Sequence, residues 1–371
     1  MSRTPQRILV TGAWGQVGRQ LVERLLDRGR TVIAADLPGA APTRATASAH
    51  LVVEPLDITD ADEVTRVVAA HAPHAIVHLA AVVSPPCYRH PEAARRVNVD
   101  GTRHLVDAAL ALRRPPVFAF ASSAGVYGPR NPHRHSGRIT PDTAVSPVDC
   151  YGVDKIDAEQ LLAASGLPHV VLRLAGVASP EPPSGPDYLV LMRAIPCDNR
   201  VHMVDARDVA LAFANAVDRI DRVDGMTLLI GGDDSHALTH SVVQDDMFEA
   251  FGLGRVGAGL NLPGDPDDDR GWSFTDWFDT TRSQQLLEYQ EHTWSDTLAW
   301  VRGRLGPRRH VIRAVGPLAR PMLRVVAARQ RHREGRGPWA DPWDLIARTY
   351  GERVLVPSSS GATDEAWRRR T

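Results

Sequence analysis

Tyr151 and Lys155 stand four residues apart in Tyr151-Gly-Val-Asp-Lys155, and Lys155 is the one lysine in a chain that otherwise writes its basic residues as arginine. On a helix that spacing puts both side chains on one face. A phenol with a pKa of about 10 is a poor base at neutral pH, and a neighbouring ammonium lowers that value by stabilising the phenolate. Such a phenol takes the proton of an alcohol, or returns one, as a hydride moves to or from a nicotinamide. The ammonium also suits the hydroxyls of the nicotinamide ribose. A lone lysine among arginines fits a position that needs a compact, tunable charge. Ser122 and Ser123 end the apolar run VFAFASS. Open α/β sheets bind ligands at strand C-termini, where the Ser123 hydroxyl would meet the reacting oxygen.

A phosphate site lies upstream. The run ILVT is followed by Gly12-Ala-Trp-Gly15-Gln-Val-Gly18 and an apolar-periodic segment. Glycines there allow a tight turn, close approach of backbone to a pyrophosphate and close packing of helix on strand. Gln16 and Val17 open the helix, whose free N–H groups favour a phosphate. Asp36 ends the next apolar run, eighteen residues after Gly18, with no arginine beside it. A carboxylate there binds ribose hydroxyls and repels a 2′-phosphate, which predicts NAD over NADP. Asp57 and Ile58 face an adenine ring or cap the following helix. Leu79, Ala80 and Ala81 leave room for a cofactor at the end of a third strand.

These residues need a scaffold, and the apolar pattern supplies one. Strands are predicted at 7–11, 31–36, 75–81, 117–123 and 169–174, with helices at 15–28, 60–71, 91–112 and 151–165. The alternation predicts an α/β fold, a Rossmann-type doubly wound parallel sheet with a smaller C-terminal substrate-binding region. Residues 1–175 form the NAD-binding part, to which 200–232 returns. Residues 176–305 are mainly substrate-binding, and 306–371 are a basic extension, partly disordered.

Composition excludes other classes. With 371 residues, 43% hydrophobic and 23% charged, wholesale disorder is ruled out. A net charge of -1 argues against a nucleic-acid binder. Cys87, Cys150 and Cys197 form no CxxC pair, which excludes a disulfide scaffold and a thiolate zinc site and suits a reducing compartment. The opening MSRTPQR has no apolar signal region and no apolar run spans a bilayer, so a cytoplasmic location is expected. His71, His74 and His78 read as core or surface residues, with no metal.

Residues 306–340 carry nine Arg and one Glu. Val311, Val315, Leu318, Met322 and Val325 or Val326 form one stripe, and Arg313, Arg320, Arg324 and Arg331 another. The favoured reading docks the apolar stripe on the body and leaves the arginines in water. The other is weak contact with an anionic membrane surface.

Taken together, the motifs resemble the extended short-chain dehydrogenases/reductases, the NAD-dependent epimerase/dehydratase family. The glycine loop, Ser123-Ala-Gly-Val-Tyr127-Gly128, Tyr151/Lys155, Asn98-Val-Asp-Gly101-Thr102, Val204-Asp-Ala-Arg-Asp208-Val-Ala210 and Asp279-Thr280-Thr281 occur in the family's order. The resemblance implies that Ser123 orients the reacting oxygen and Tyr151 is the general acid/base. Lys155 tunes Tyr151 and grips the ribose, and Asn98 belongs to the cofactor site. It further implies a homodimer through the helices at 91–112 and 151–165.

Two departures bear on the substrate. Ala124-Gly125 stands where dehydratases of the family place Asp-Glu. Gly176 stands where many nucleotide-sugar epimerases have Asn. Asp154 is expected to point off the Tyr/Lys face into solvent. The leading expectation is NAD-dependent hydride transfer at a secondary alcohol or ketone of a small molecule, as in a nucleotide-sugar epimerase. The alternative is a net dehydrogenase or reductase of a sterol-like or small hydroxy/keto compound. A non-catalytic NAD-binding regulator is the reading from another class, and a tuned phenol argues against it.

Overall fold

The computed structural model describes residues 6–41, 48–181, 185–257, 259–306 and 308–356. The first half alternates strands and helices: β1 (Arg7–Thr11), α1 (Gln16–Asp27), β2 (Thr31–Asp36), β3 (Leu51–Pro55), α2 (Ala61–His71) and β4 (Ala75–His78). Then come α3 (Pro91–Arg95), a π turn (Arg96–Asp100), α4 (Gly101–Leu110), β5 (Val117–Ser123), α5 (Cys150–Ala164) and β6 (His169–Leu174). Beyond these lie β7 (Gly176–Ala178), α6 (Pro186–Ala194), β8 (Arg200–Asp205), α7 (Ala206–Asp218), α8 (Ile220–Val223), β9 (Met226–Ile230), β10 (Ala237–Thr239) and α9 (His240–Ala250). The chain continues through α10 (Thr281–Leu287), α11 (Trp294–Leu305), α12 (Arg308–Arg333) and α13 (Pro342–Tyr350).

Seven parallel strands form one sheet in the order β3-β2-β1-β4-β5-β6-β9, and β10-β8-β7 form a small second sheet. Both faces of the large sheet are covered. Ile8 and Val10 turn to a core shared with α1 and α7, while Leu9 turns to one shared with α2, α4 and α5. That double burial is why the strands read as unbroken apolar runs.

Three differences from the sequence reading have local causes. Strand β3 was not expected; its residues are half-exposed at the sheet edge, so LVVEP lacks a buried strand's apolar run. The third predicted strand stops at His78, because Leu79 onward leaves the sheet toward the glycine loop. The short strands β7 and β10 were also unforeseen, being only three residues each.

The basic extension departs further. Helix α12 runs through Pro317 and Pro321, and Arg324 and Arg331 of its arginine stripe reach the body rather than water, while Arg313 stays exposed. Arg324 donates to the carbonyl of Val256 at 2.9 Å, and Arg331 donates to those of Gly259 and Leu260 at 2.8 and 3.1 Å. Loop carbonyls that no strand or helix satisfies are strong acceptors for a guanidinium, and this outweighs docking of the apolar stripe. Met322 is 69% exposed and Val325 and Val326 are each 48% exposed. The side chains of Val311, Val315 and Leu318 lie outside the described residues, as do residues 357–371, expected to be disordered. Among the described residues, no helix is long and apolar enough to cross a membrane.

Candidate active site

The glycine loop joins β1 to α1. Gly12 has φ +67°, and a Cβ there would lie 2.8 Å from the backbone N of Ala80, so only glycine lets the loop pass the end of β4. A Cβ on Gly18 would lie 2.2 Å from the carbonyl oxygen of Gly12, which forces the first turn of α1 close under the loop. Asp36 accepts the backbone N–H of Trp14 at 2.9 Å with one carboxylate oxygen and that of Leu37 at 2.9 Å with the other. The acid is thereby fixed at the mouth of the glycine turn, with lone pairs left for ribose hydroxyls. Gln16 and Arg19 are tied to Glu181, by one bond of 2.6 Å and a two-point ion pair of 3.0 and 2.8 Å. These contacts fit a dinucleotide: a backbone cradle that a Cβ would fill, a helix N-terminus and a positioned carboxylate.

Around the cradle the predicted residues divide. Leu79 and Ala80 close its far side, held by Thr11. Asp57 spends its carboxylate on Thr59, through the backbone N–H at 2.9 Å and the hydroxyl at 2.8 Å, and Asp60, not Asp57, caps α2. Ile58 packs against Gly101, where a Cβ would lie 2.7 Å from its side chain. Asn98 is buried and clamps Val82, accepting its N–H at 2.9 Å and donating to its carbonyl at 3.1 Å. It therefore positions the segment after β4 from behind.

His78 is sandwiched between two hydroxyls. Thr102 donates to the Asn98 carbonyl at 2.7 Å, so it accepts from His78 Nε2 at 3.0 Å, and His78 Nδ1 accepts from Thr11 at 2.7 Å. Burial, reinforced by the Lys155 charge, pushes the imidazole pKa down to about 3, so the ring is neutral.

The catalytic candidates converge between β5 and α5. Asp149 caps α5 by accepting the N–H of Gly152 at 2.8 Å, and Tyr88 donates to the same carboxylate at 2.5 Å. A Cβ on Gly152 would lie 2.6 Å from the Gly125 carbonyl, so the helix start abuts the turn that follows Ser123. This brings the Tyr151 ring and the Ser123 Oγ to the same side of Gly125, where a Cβ would lie 3.5 Å from each, and the Ser123 Oγ accepts the N–H of Gly125 at 3.1 Å. One turn on, the buried Lys155 donates to the carbonyl of Ala121 at 2.8 Å, its Nζ 4.8 Å from the Phe120 ring centre and 5.8 Å from that of Tyr151.

Two electrostatic expectations are corrected. Burial pushes the Tyr151 phenol up, and the neighbouring Ser123 hydroxyl only partly opposes this. Lys155 is itself pushed down to about 8 by burial, against the pull of Asp154 and Glu159. Asp154 is buried rather than exposed: it accepts from Arg95 at 3.1 Å and Asn98 at 3.3 Å, and burial raises its pKa to about 6. The α3–π–α4 segment packs on α5 and removes that face from water.

Residues that the sequence did not single out complete the surroundings. Arg173 and Glu159 form a two-point ion pair of 3.0 and 2.7 Å under the site, with Ser122 donating to Glu159 and Arg173 donating to Tyr127 at 2.8 Å. The available signal was a charge in the apolar strand HVVLRL and an acid four residues after Lys155. The C-terminal end folds back over α5: Trp343, Ile346 and Val354 share one apolar cluster with Tyr88, Val148 and Tyr151. Asp341 and Pro342, a cap and a first-turn proline, signal that helix locally.

Known proteins share this arrangement. The model of the NAD dependent epimerase/dehydratase family matches residues 8–231. A UDP-glucose 4-epimerase of Azospirillum brasilense is 33% identical over 181 residues, covering 47% of this chain and 50% of that protein. The chain thus spans about half the length of curated relatives such as this one. The structure of MoeE5 in complex with UDP-glucuronic acid and NAD has a TM-score of 0.63 and 26% identity, covering 81% of this chain and all of that one. The UDP-glucose 4-epimerase of Thermotoga maritima, with a TM-score of 0.65 and 21% identity over 82% of this chain, shares the fold. Because the family match spans the glycine loop, the β5–α5 site and all seven strands of the large sheet, this chain belongs to the NAD-dependent epimerase/dehydratase family.

Proposed function

We propose that the protein is a nucleotide-sugar epimerase that oxidises a secondary alcohol of its substrate and re-reduces the resulting ketone in place. The observation that carries this reading is the convergence of Ser123 and Tyr151 beside Gly125 at the end of β5, with Lys155 one turn away. NAD, when bound, supplies the hydride acceptor and, after oxidation of the substrate, the donor. Ser123 and Tyr151 hold the reacting oxygen between two hydroxyls. Tyr151 takes the alcohol's proton as the hydride leaves and returns the same proton to the ketone oxygen on re-reduction; burial raises its pKa and so favours the protonated form that serves the second step. Lys155 has one hydrogen committed to Ala121, which leaves two for ribose hydroxyls.

In this reading Gly12, Gly15, Gln16, Val17 and Gly18 hold the pyrophosphate, and Asp36 the adenosine ribose. Asp57 and Ile58 border the adenine, and Leu79–Ala81 line the path to the nicotinamide. Residues 1–175 and 200–232 serve the cofactor, and 176–305 chiefly the substrate. A homodimer is supported by a groove of about 560 Å³ between α4 and α5, where Val99, Val106, Leu110 and Leu161 alternate with Arg103 and Asp157.

A net dehydrogenase is the second reading, and Gly176 favours it. A Cβ there would lie 2.9 Å from the Met203 sulfur and 3.3 Å from the His202 carbonyl oxygen, so the Asn found in many nucleotide-sugar epimerases would fit only if the Met203 side chain moved. Mass spectrometry of small molecules released on denaturing the purified protein separates the two. NAD(H) at one per chain, with a sugar nucleotide, supports the epimerase. An empty protein that turns over added NAD with a hydroxy compound supports the dehydrogenase, and NADP(H) would overturn the role given to Asp36.

A further inference from the structure

Helix α12 is amphipathic in reverse. Its Arg324 and Arg331 are spent on loop carbonyls of the body, and Gly316 sits so close that a Cβ would lie 2.7 Å from the Leu253 carbonyl oxygen. The helix is thus fastened by its polar side, and Met322, Leu323, Val325 and Val326 are left exposed on the other. Surface helices of soluble proteins ordinarily bury that stripe, and a contiguous exposed apolar patch marks an interaction site.

Charge decides what covers it. The segment Arg308–Arg333 contains no acidic residue. Exposed Arg313, Arg329 and Arg333 have no partner among the described residues, and Arg329 and Arg333 continue the apolar face by one and two turns from Val326. A second copy of this helix would bring like charge against like charge. An anionic lipid surface offers both things the face lacks, apolar depth for the Met and Val side chains and phosphates for the arginines. We propose that α12 lies flat on an anionic membrane surface, with Met322, Val325 and Val326 in the acyl boundary and Arg329 and Arg333 among the headgroups. Stable attachment takes two signals, and here they share one face. The helix is about 40 Å long at 1.5 Å per residue, enough for several lipids. This proposal stands apart from the reaction, since neither vesicle binding nor its loss depends on Tyr151.

The test is sedimentation of the full-length protein with vesicles of phosphatidylcholine alone and of phosphatidylcholine mixed equally with phosphatidylglycerol. Expected is recovery with the anionic vesicles, less with the neutral ones, and a decrease with added salt. M322E/V326E should stay in the supernatant, and R329E/R333E should lose at least about fivefold per arginine in affinity for anionic vesicles. All four positions are exposed, so an unchanged thermal midpoint shows that the variants are folded. The proposal is overturned if the parent ignores anionic vesicles at low salt, or if M322E/V326E sediments as the parent does. It is equally overturned if the parent ignores vesicles but is a dimer that M322E/V326E splits, because a second copy then covers the face.

Discussion

Val356 donates its backbone N–H to the carbonyl of Val148 at 2.9 Å, tying the C-terminal end of the described chain to a point three residues before Tyr151. Asp149 and Leu355 form an adjacent bridge, and Trp343 donates from its indole to the Trp272 carbonyl at 2.9 Å. The extension is therefore part of the wall behind α5. Trp343→Ala is expected to lower stability by about 3–5 kcal/mol, the usual loss for a buried Trp. Denaturant unfolding measures it. A loss under 1 kcal/mol, on the order of a surface substitution, would refute the packing role.

Tyr151→Phe removes the proton donor and keeps the ring. Turnover should fall by about 100-fold to 10,000-fold, with NAD affinity within a few-fold of the parent. Calorimetric titration of NAD beside a turnover assay checks both. Equal turnover by parent and variant would favour the regulator reading.

Lys155 should give two pH slopes of opposite sign. Burial lowers its pKa to about 8 in the folded protein, below its unfolded value. Between those two values the unfolded chain binds more protons, so this residue's contribution makes stability rise with pH across that window. NAD affinity should fall over the same pH range, because the ammonium that grips the ribose is being lost. Lys155→Met should flatten both profiles, and unchanged slopes in the variant would assign them to other groups.

Asp36→Ser removes the charge that repels a 2′-phosphate and the acceptor that holds Trp14. The ratio of NAD to NADP affinity should drop by about tenfold or more, with most of the change in weaker NAD binding. Fluorescence titration with both dinucleotides tests this, and an unaltered ratio would move the ribose contact elsewhere.

Arg173→Met leaves the largely buried Glu159 without its ion-pair partner beneath the site. The expected loss is about 3–5 kcal/mol, partly restored by adding Glu159→Gln. A double-mutant cycle in denaturant resolves it, and additive single effects would show that the pair is not coupled.

Much of the site was legible because it is local. The glycine spacing, the acid at the end of β2, and the Tyr/Lys repeat of one helical turn are each set by neighbours in the chain. Five strands of the large sheet announced themselves as buried apolar runs, whereas β3, half-exposed at the edge, did not. Even the cap of α2 shows the limit of such reading, since the sequence offered Asp57 and the backbone gives that role to Asp60.

What stayed hidden depends on partners far away in sequence. Nothing local to Asp154 says that α3 and the π turn will bury it against Arg95 and Asn98. Nothing local to Tyr151 says that burial will raise its pKa. Helix α12 makes the point most directly: its periodicity defines two stripes but not which one docks. Carbonyls of the loop after α9, to which Arg324 and Arg331 donate, settled that choice. A repeating pattern fixes faces relative to one another, while burial belongs to whatever the rest of the chain presents to them.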